Sequence, residues 1–223
     1  MPPVAPTPDS GLSSPETSVG RRREPTGRPD APHRMDPRAL QQAISQATAL
    51  PDVRQRAQAT PVLRIGHFVL RVKDAGSELK WFMDHFALVE SDYICAPGDP
   101  DPIVKGTFLR YARGMEFVEH HCILINESAL HGCHHSSYEV LDLDAVLAGH
   151  DFLVQKGWNL DAGVGRHHLG SLIYDYWLDP FGNRIEHYTD TDLINDDYKP
   201  VYFVGGAHET TQWGMAPPPS FFD

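Results

Sequence analysis

Two histidines occupy equivalent places in a repeated stretch of the 223-residue chain. His67 begins an apolar run that ends at Val72, and His135 begins a similar run that ends at Val140. Neutral imidazole is the commonest protein ligand for transition metals. A lone histidine in a strand is more often structural, but the repeat singles out this pair. His67 and His135 are therefore candidate metal ligands.

Strand alternation predicts the direction in which these side chains point, because successive side chains of a strand face opposite sides of its sheet. The apolar face of the first run, which a helix would cover, consists of Phe68, Leu70 and Val72. His67 is then expected to face away from the helix, into a cleft. The same alternation directs His135 into the cleft and His134 to the opposite face.

A candidate carboxylate follows a predicted hairpin. Residues 179–183 include Pro, Gly and Asn, which favour a tight turn. If this turn centres on Phe181, Tyr176 and Glu186 lie opposite each other on one face. A buried carboxylate without a partner is costly, so Glu186 requires a positive charge nearby. We expect a metal ion in that place, with Arg184 as the structural alternative.

Two imidazoles and one carboxylate from different strands define a coordination chemistry. They occupy one face of an octahedron and leave the other positions open, an arrangement typical of Fe(II) enzymes that use O₂. A structural zinc site would be closed, and the histidines of residues 131–135 have no cysteine partners at zinc-finger spacing. The pattern predicts an open site for Fe(II), with Mn(II) as the alternative metal.

The elements that must position these residues also repeat. Each run is followed by an acidic residue, Asp74 or Asp142, and then by a helical pattern. The predicted helix faces carry Leu79, Phe82, Met83 and Phe86 in the first copy and Leu143, Val146, Leu147 and His150 in the second. Strands are predicted over residues 106–113, 115–126, 172–178 and 183–189. The chain is therefore expected to have an α+β fold of two paired βαβββ modules around one metal site.

Several segments resemble the signatures of type I extradiol ring-cleavage dioxygenases, a group within the vicinal oxygen chelate superfamily. The similar segments are GHFVLRV from Gly66, HHSSYEV from His134, DPFGNRIE ending at Glu186, EHHCIL containing His121, and GRH ending at His167. The resemblance covers about residues 61–190 and a C-terminal segment from Trp213. It implies the half-barrel fold of that superfamily.

The resemblance also implies a function and a role for each residue. The chain would insert both atoms of O₂ into a catechol-type aromatic diol, with meta cleavage of the ring to a semialdehyde. His121 would be the acid–base group, Tyr176 would hydrogen-bond a substrate oxygen, and His167 would add a donor near the ring. The implied ligands of Fe(II), or of Mn(II), are His67, His135 and Glu186.

Alternatives remain open at this point, because one fold serves many reactions. A glyoxalase-like lyase or isomerase would need a fourth protein ligand, and His121 is the residue that could supply it. A non-catalytic ligand-binding protein would need no aligned metal ligands. Tyr174 shares a strand face with Tyr176 and competes with it for the substrate contact.

The expected organisation is a disordered tail (1–35), a short helical linker (36–60), a catalytic domain (61–195) and a C-terminal extension (196–223). The modules would span about 61–128 and 132–190. Many members of the resembled group carry a further N-terminal domain of two modules, for which this chain has only about 60 residues. The resemblance implies a homo-oligomer.

Charge and composition exclude some partners. The net charge of -11 disfavours binding to nucleic acid or to anionic membrane surfaces. No apolar stretch approaches the roughly 20 residues that a membrane helix needs. The 3 cysteines have neither the even number of a disulfide framework nor the spacing of a metal knuckle. We therefore expect a cytoplasmic protein with reduced thiols.

Overall fold

The computed structural model describes residues 59–98, 100–205, 209–215, 217–218 and 221. The predicted tail and most of the predicted helical linker lie outside these residues. The described elements are β1 (Arg64–Val72), α1 (Ala75–Phe86), β2 (Leu88–Ala96), β3 (Ile103–Tyr111), β4 (Val118–Glu119), β5 (Ile123–Glu127), β6 (Gly132–Glu139), α2 (Leu143–Gln155), β7 (Asn159–His167), β8 (Ile173–Leu178), β9 (Arg184–Thr189), β10 (Leu193–Ile194), β11 (Tyr202–Val204) and β12 (Thr211–Gly214).

One 10-stranded sheet contains both modules, in the order β11-β2-β3-β5-β1-β6-β9-β8-β7-β12. The inner eight strands form two mirrored halves, β2-β3-β5-β1 and β6-β9-β8-β7. In each half, the strand that comes first in the sequence pairs in parallel with the strand that comes last in the sequence. These pairs are β1 with β5 and β6 with β9. The halves join where β1 and β6 pair in antiparallel orientation. The predicted α+β fold of paired modules is confirmed.

The helices begin at equivalent acidic residues in the two modules. The side chain of Asp74 accepts a hydrogen bond from the Ser77 backbone N–H, and that of Asp142 accepts one from Ala145. Each aspartate thereby satisfies a backbone donor that the first turn leaves free. The shared cap accounts for the aspartate that precedes the helix in both copies of the repeat.

The helix α1 covers the apolar face of β1 as predicted. Phe68, Leu70 and Val72 pack with Leu79, Phe82 and Met83 in one hydrophobic cluster. Three residues predicted for the helix faces are instead substantially exposed, namely Phe86, Leu143 and Leu147. The buried side of α2 is formed by Val146 and Gly149, because Gly149 approaches Thr60 so closely that a Cβ atom would lie 2.6 Å from the Thr60 hydroxyl.

The strand predictions were incomplete in both modules. β2 and β7 were not located individually, and the segment predicted as one strand over 115–126 divides into β4 and β5. Gly182 lies in the turn predicted over 179–183, and Gly114 lies between the segments predicted as strands over 106–113 and 115–126. These two glycines adopt positive φ, 85° and 61° respectively. Positive φ is strained for residues with a Cβ atom, so glycine suits both turns.

The C-terminal segment returns to both halves of the sheet. β11 pairs with β2, β12 pairs with β7, and β10 pairs with β4 in a separate 2-stranded sheet. Pro217 and Phe221 then reach the cavity that lies against the sheet. Among the described residues, no helix has the length and apolar character needed to cross a membrane.

Candidate metal centre

Three side chains from three neighbouring strands converge at one point. His67 of β1, His135 of β6 and Glu186 of β9 place their potential ligand atoms within 4.8 Å of one another. Nε2 of His67 lies 2.9 Å from Oε2 of Glu186 and 3.4 Å from Nε2 of His135. Nε2 of His135 lies 3.5 Å from the same carboxylate oxygen. All three residues are buried.

The strand pairing explains the convergence. His135 lies opposite Val69 in the β1–β6 ladder, and Glu186 lies beside Ser137 in the β6–β9 ladder. Gly66 also contributes, because a Cβ atom at this residue would lie 2.1 Å from the Tyr188 hydroxyl oxygen. Glycine thus allows the Tyr188 ring to pack beside His67, with 5.3 Å between ring centroids.

The donor set fits a metal ion. Glu186 is fully buried, and neither of its carboxylate oxygens has a hydrogen bond of normal geometry from the described residues. A buried carboxylate in this state is costly unless a cation neutralises it. Two imidazoles and one carboxylate suit Fe(II), Mn(II) and related ions. These residues would hold such an ion with one negative protein charge.

The electrostatics favour the ligand forms of the acidic and basic groups. Burial alone would raise the pKa of Glu186, but the nearby histidines and the contact with His67 lower it to about 2. Burial lowers the pKa of His135 to well below its ordinary value. Glu186 is therefore an anion and His135 is a neutral imidazole, as metal binding requires.

The remaining predicted site residues lie around this cluster. The rings of His121 and His67 have centroids 4.3 Å apart. The Tyr176 hydroxyl lies 2.9 Å from Nε2 of His167, and the Tyr176 ring contacts His135 edge-on at 5.2 Å. The structure thus brings together all six residues that the sequence singled out.

Tyr174, the competing tyrosine, points to a different partner. Its hydroxyl lies 3.0 Å from the Thr211 hydroxyl of β12, and its ring stacks on His167. Tyr174 does not line the cavity, whereas Tyr176 does. The structure therefore favours Tyr176 for contact with a bound molecule.

Burial keeps the polar groups around the cavity uncharged. It lowers the pKa of His121 well below the ordinary value, with a further contribution from the neighbouring histidines. It lowers the pKa of His167 to about 4 and raises that of Tyr176 well above the usual range. These residues present neutral imidazole nitrogens and a phenolic hydroxyl to the cavity.

The cavity has a volume of about 470 Å³, which is within the range of small-molecule sites. The polar lining includes the two candidate histidine ligands, His67 and His135, together with His121, His134 and His167. The rest of the lining is mainly apolar and includes Val69, Ile94, Phe108, Leu124, Leu172 and Phe221. The arrangement suits a molecule with a polar edge and an apolar body.

His134 also lines this cavity, contrary to the prediction that it faces the opposite side. The β1–β6 ladder changes register between Val69 and Leu70, whose partners are His135 and Cys133, so His134 is left without a partner as a bulge residue. Its Nδ1 lies 2.7 Å from Nδ1 of His135. Regular alternation could not predict this irregularity.

A second group of buried polar residues lies behind His121. His120 places Nδ1 3.0 Å from Nδ1 of His121 and Nε2 2.8 Å from Oδ2 of Asp92. Asp92 also accepts hydrogen bonds from the Tyr198 hydroxyl and the Val201 backbone N–H. Asp92 lies on β2, a strand that the sequence patterns did not locate.

Together, the mirrored modules and the cleft with two histidines and one carboxylate define a vicinal oxygen chelate protein. The chain matches the Glyoxalase/Bleomycin resistance protein/Dioxygenase superfamily over residues 64–187 and belongs to it. The resemblance seen in the sequence is therefore confirmed at the level of the superfamily.

Individual relatives include both oxygenases and a glyoxalase. The chain is 28% identical over 170 residues to metapyrocatechase 2 of Cupriavidus necator, an alignment that covers 76% of this chain and 50% of the relative. It is similar to the Mn(II)-bound glyoxalase of Novosphingobium aromaticivorans, with a TM-score of 0.60, 25% identity, and coverage of 73% and 50% of the two chains.

A further solved structure supports the fold. The 2,3-dioxygenase LapB of Pseudomonas sp. KL28 aligns with a TM-score of 0.56 and 22% identity, covering 63% of this chain and 47% of that one. The chain spans about half the length of the curated relative that it matches.

Proposed function

We propose that the chain is an extradiol dioxygenase that uses Fe(II), or Mn(II), to cleave a catechol-type aromatic diol with O₂. The ligands would be His67, His135 and Glu186. A bound ion would supply the redox chemistry with O₂ and would lower the pKa of a coordinated hydroxyl. The similarity to metapyrocatechase 2 supports an oxygenase, and the site geometry supports an open coordination sphere.

One observation carries the proposal. Phe68 and Ser136, which directly follow the two candidate histidines, pair with Ile123 and Ile185 respectively. The residue after Ile185 is Glu186, so its equivalent in the first module is the residue after Ile123, which is Leu124. A leucine cannot bind a metal ion, and Leu124 lines the cavity. The position that could complete a symmetric four-ligand set therefore holds a non-ligand, which favours an open site.

The surrounding side chains suit the remaining tasks. Tyr176 donates its hydroxyl hydrogen towards a substrate oxygen, and His167 holds this hydroxyl in place at 2.9 Å. His121 accepts or returns a proton beside the ligand cluster. The apolar walls formed by Phe108, Leu172 and other residues contact the aromatic ring and exclude water.

A metal-dependent glyoxalase-like lyase or isomerase is the second candidate, favoured by the Mn(II)-bound structural relative. It requires His121 as a fourth ligand. In the described residues, however, the group of convergent ligand atoms contains only His67, His135 and Glu186. Nδ1 of His121 is engaged by His120, which further favours a role outside the coordination sphere.

Anaerobic reconstitution separates the candidates. The full chain is loaded with Fe(II) or Mn(II) and mixed with catechols that carry hydrogen, alkyl or aryl substituents. We expect O₂ consumption equal to the substrate consumed and a yellow semialdehyde product. A parallel assay uses the hemithioacetal of glutathione and methylglyoxal, a glyoxalase substrate. Turnover of the hemithioacetal without O₂, together with inertness towards every catechol, would contradict the dioxygenase proposal.

A further inference from the structure

A series of buried hydrogen-bonding groups connects Asp92 of β2 to the candidate active site. Asp92 and His120 are each only 1% exposed. Asp92 contacts Nε2 of His120 at 2.8 Å, and Nδ1 of His120 contacts Nδ1 of His121 at 3.0 Å. His121 lines the cavity, so the path runs from a carboxylate to a nitrogen beside the substrate space.

The partners of Asp92 determine the direction of the first hydrogen bond. The Tyr198 hydroxyl and the Val201 backbone N–H both donate to the carboxylate, at 3.0 and 2.7 Å from Oδ1. A carboxylate surrounded by donors remains an acceptor. His120 therefore donates its Nε2 hydrogen to Asp92.

The direction of the second hydrogen bond follows from the first. In a neutral imidazole only one nitrogen carries hydrogen, so Nδ1 of His120 is an acceptor. His121 must then donate from its own Nδ1, which leaves its Nε2 without hydrogen. A His120 with hydrogen on both nitrogens would instead donate from Nδ1 and leave His121 with hydrogen on Nε2, so the tautomer of His121 distinguishes the two arrangements.

We propose that Asp92 and His120 are positioning residues that hold His121 in the Nδ1–H tautomer, with Nε2 as a proton acceptor on the cavity side. The chemical use of that nitrogen rests on the proposed function, whereas the tautomer is inferred from the hydrogen bonds of Asp92 and of a neutral His120. The second imidazole nitrogen commonly sets the reactivity of the first in this way.

The substitution Asp92→Asn should reverse the direction of both hydrogen bonds, between residue 92 and His120 and between His120 and His121. The Val201 backbone N–H requires an acceptor, so the asparagine oxygen occupies the Oδ1 position and its NH₂ group faces His120. His120 then accepts at Nε2 and donates from Nδ1. His121 consequently accepts at Nδ1 and carries hydrogen on Nε2, where it can no longer take a proton.

Nitrogen-15 NMR of histidine-labelled protein tests the tautomers directly. The full chain is loaded with Zn(II), which is diamagnetic, and His121 is assigned from the spectrum of His121→Phe. We expect His121 to carry hydrogen on Nδ1 in the wild type and on Nε2 in Asp92→Asn. A wild-type His121 with hydrogen on Nε2 would overturn the proposal, even if the variant failed to fold.

Kinetics of the Fe(II)-loaded protein test the consequence. A wrong tautomer or a lost proton acceptor lowers turnover by about 10²- to 10⁴-fold. For Asp92→Asn we expect a kcat loss of that size, with KM and iron content nearly unchanged. Tyr198→Phe is the matched control, because it removes a donor to the same carboxylate but retains the acceptor that His120 needs. Its kcat should fall by less than about 10-fold.

The two proposals fail in different ways. An Asp92→Asn variant with wild-type kcat, or equal kcat losses in both variants, would overturn the role of Asp92 and His120. A wild-type chain inert towards every catechol would instead contradict the dioxygenase proposal. In that case the NMR measurement would still decide the tautomer of His121.

Discussion

Tyr176 lies directly opposite Glu186 in the β8–β9 ladder, with its hydroxyl 2.9 Å from Nε2 of His167. A phenol that donates to an anionic substrate oxygen contributes about 1.5–3 kcal/mol. Tyr176→Phe should therefore lower kcat/KM for a catechol by roughly 10- to 100-fold, with iron content retained. Steady-state kinetics and metal analysis measure both. Tyr174→Phe is the matched control, since its hydroxyl contacts Thr211. Equal losses in the two variants would argue against the role of Tyr176.

Removal of a candidate ligand should remove the metal. Because the described cluster has only three protein donors, His67→Ala, His135→Ala and Glu186→Ala should each lose bound iron and activity. Metal analysis of the purified variants and circular dichroism separate this loss from unfolding. If any one of these variants kept both full iron content and full turnover, its residue would not be a ligand.

His134 is unsuitable as a neutral control for these substitutions. Its Nδ1 contacts Nδ1 of His135 at 2.7 Å, and partners of a ligating histidine typically contribute about 10- to 100-fold in metal affinity. His134→Ala should therefore weaken iron binding by that factor, as measured by competition with a chelator. His131, an exposed residue just before β6, is the better control, and His131→Ala should bind iron normally.

His121 separates the oxygenase from the lyase. In the oxygenase His121→Phe should retain iron and anaerobic catechol binding, while kcat falls by about 10²- to 10⁴-fold. In the lyase this substitution removes a ligand, so metal affinity would fall along with activity. Iron content and anaerobic substrate titration of this variant are the decisive measurements, and a metal-free His121→Phe protein would refute the assigned role.

Leu124 should control whether the site remains open. Leu124→Glu places a carboxylate at the position equivalent to Glu186, so it should add a fourth ligand, strengthen divalent-metal binding and abolish ring cleavage. Leu124→Met, which retains apolar character and similar volume, should keep most of the activity. Calorimetric metal titration and O₂ uptake test the pair. Full dioxygenase activity in Leu124→Glu would show that this position does not face the metal.

The sequence predicted those parts of the fold that depend on regular patterns. The repeat located both helices and the acidic residue before each of them, and strand alternation directed His67 and His135 into the cleft. The assumed turn correctly paired Tyr176 with Glu186. These inferences succeeded because each depends on periodicity or on residues close in sequence.

The missed features depend on irregular backbone or on distant contacts. The bulge at His134 reverses the expected direction of one side chain. Asp92 reaches His120 from a different strand, with a separation of 28 residues, and no spacing rule connects them. Phe221, which is distant in sequence from the candidate histidine ligands, also lines the cavity. Only the folded arrangement reveals these contacts.

The candidate metal centre lies at the junction between β1 and β6, so a bound ion would affect the stability of that junction. His67 belongs to the first module, whereas His135 and Glu186 belong to the second, so one ion would cross-link the two halves of the sheet. An ion that binds only the folded chain, at a concentration of 100 Kd, stabilises it by about 2.7 kcal/mol. Chelation should therefore loosen the junction first, and hydrogen exchange should accelerate along β1 and β6 before it does so at the outer strands.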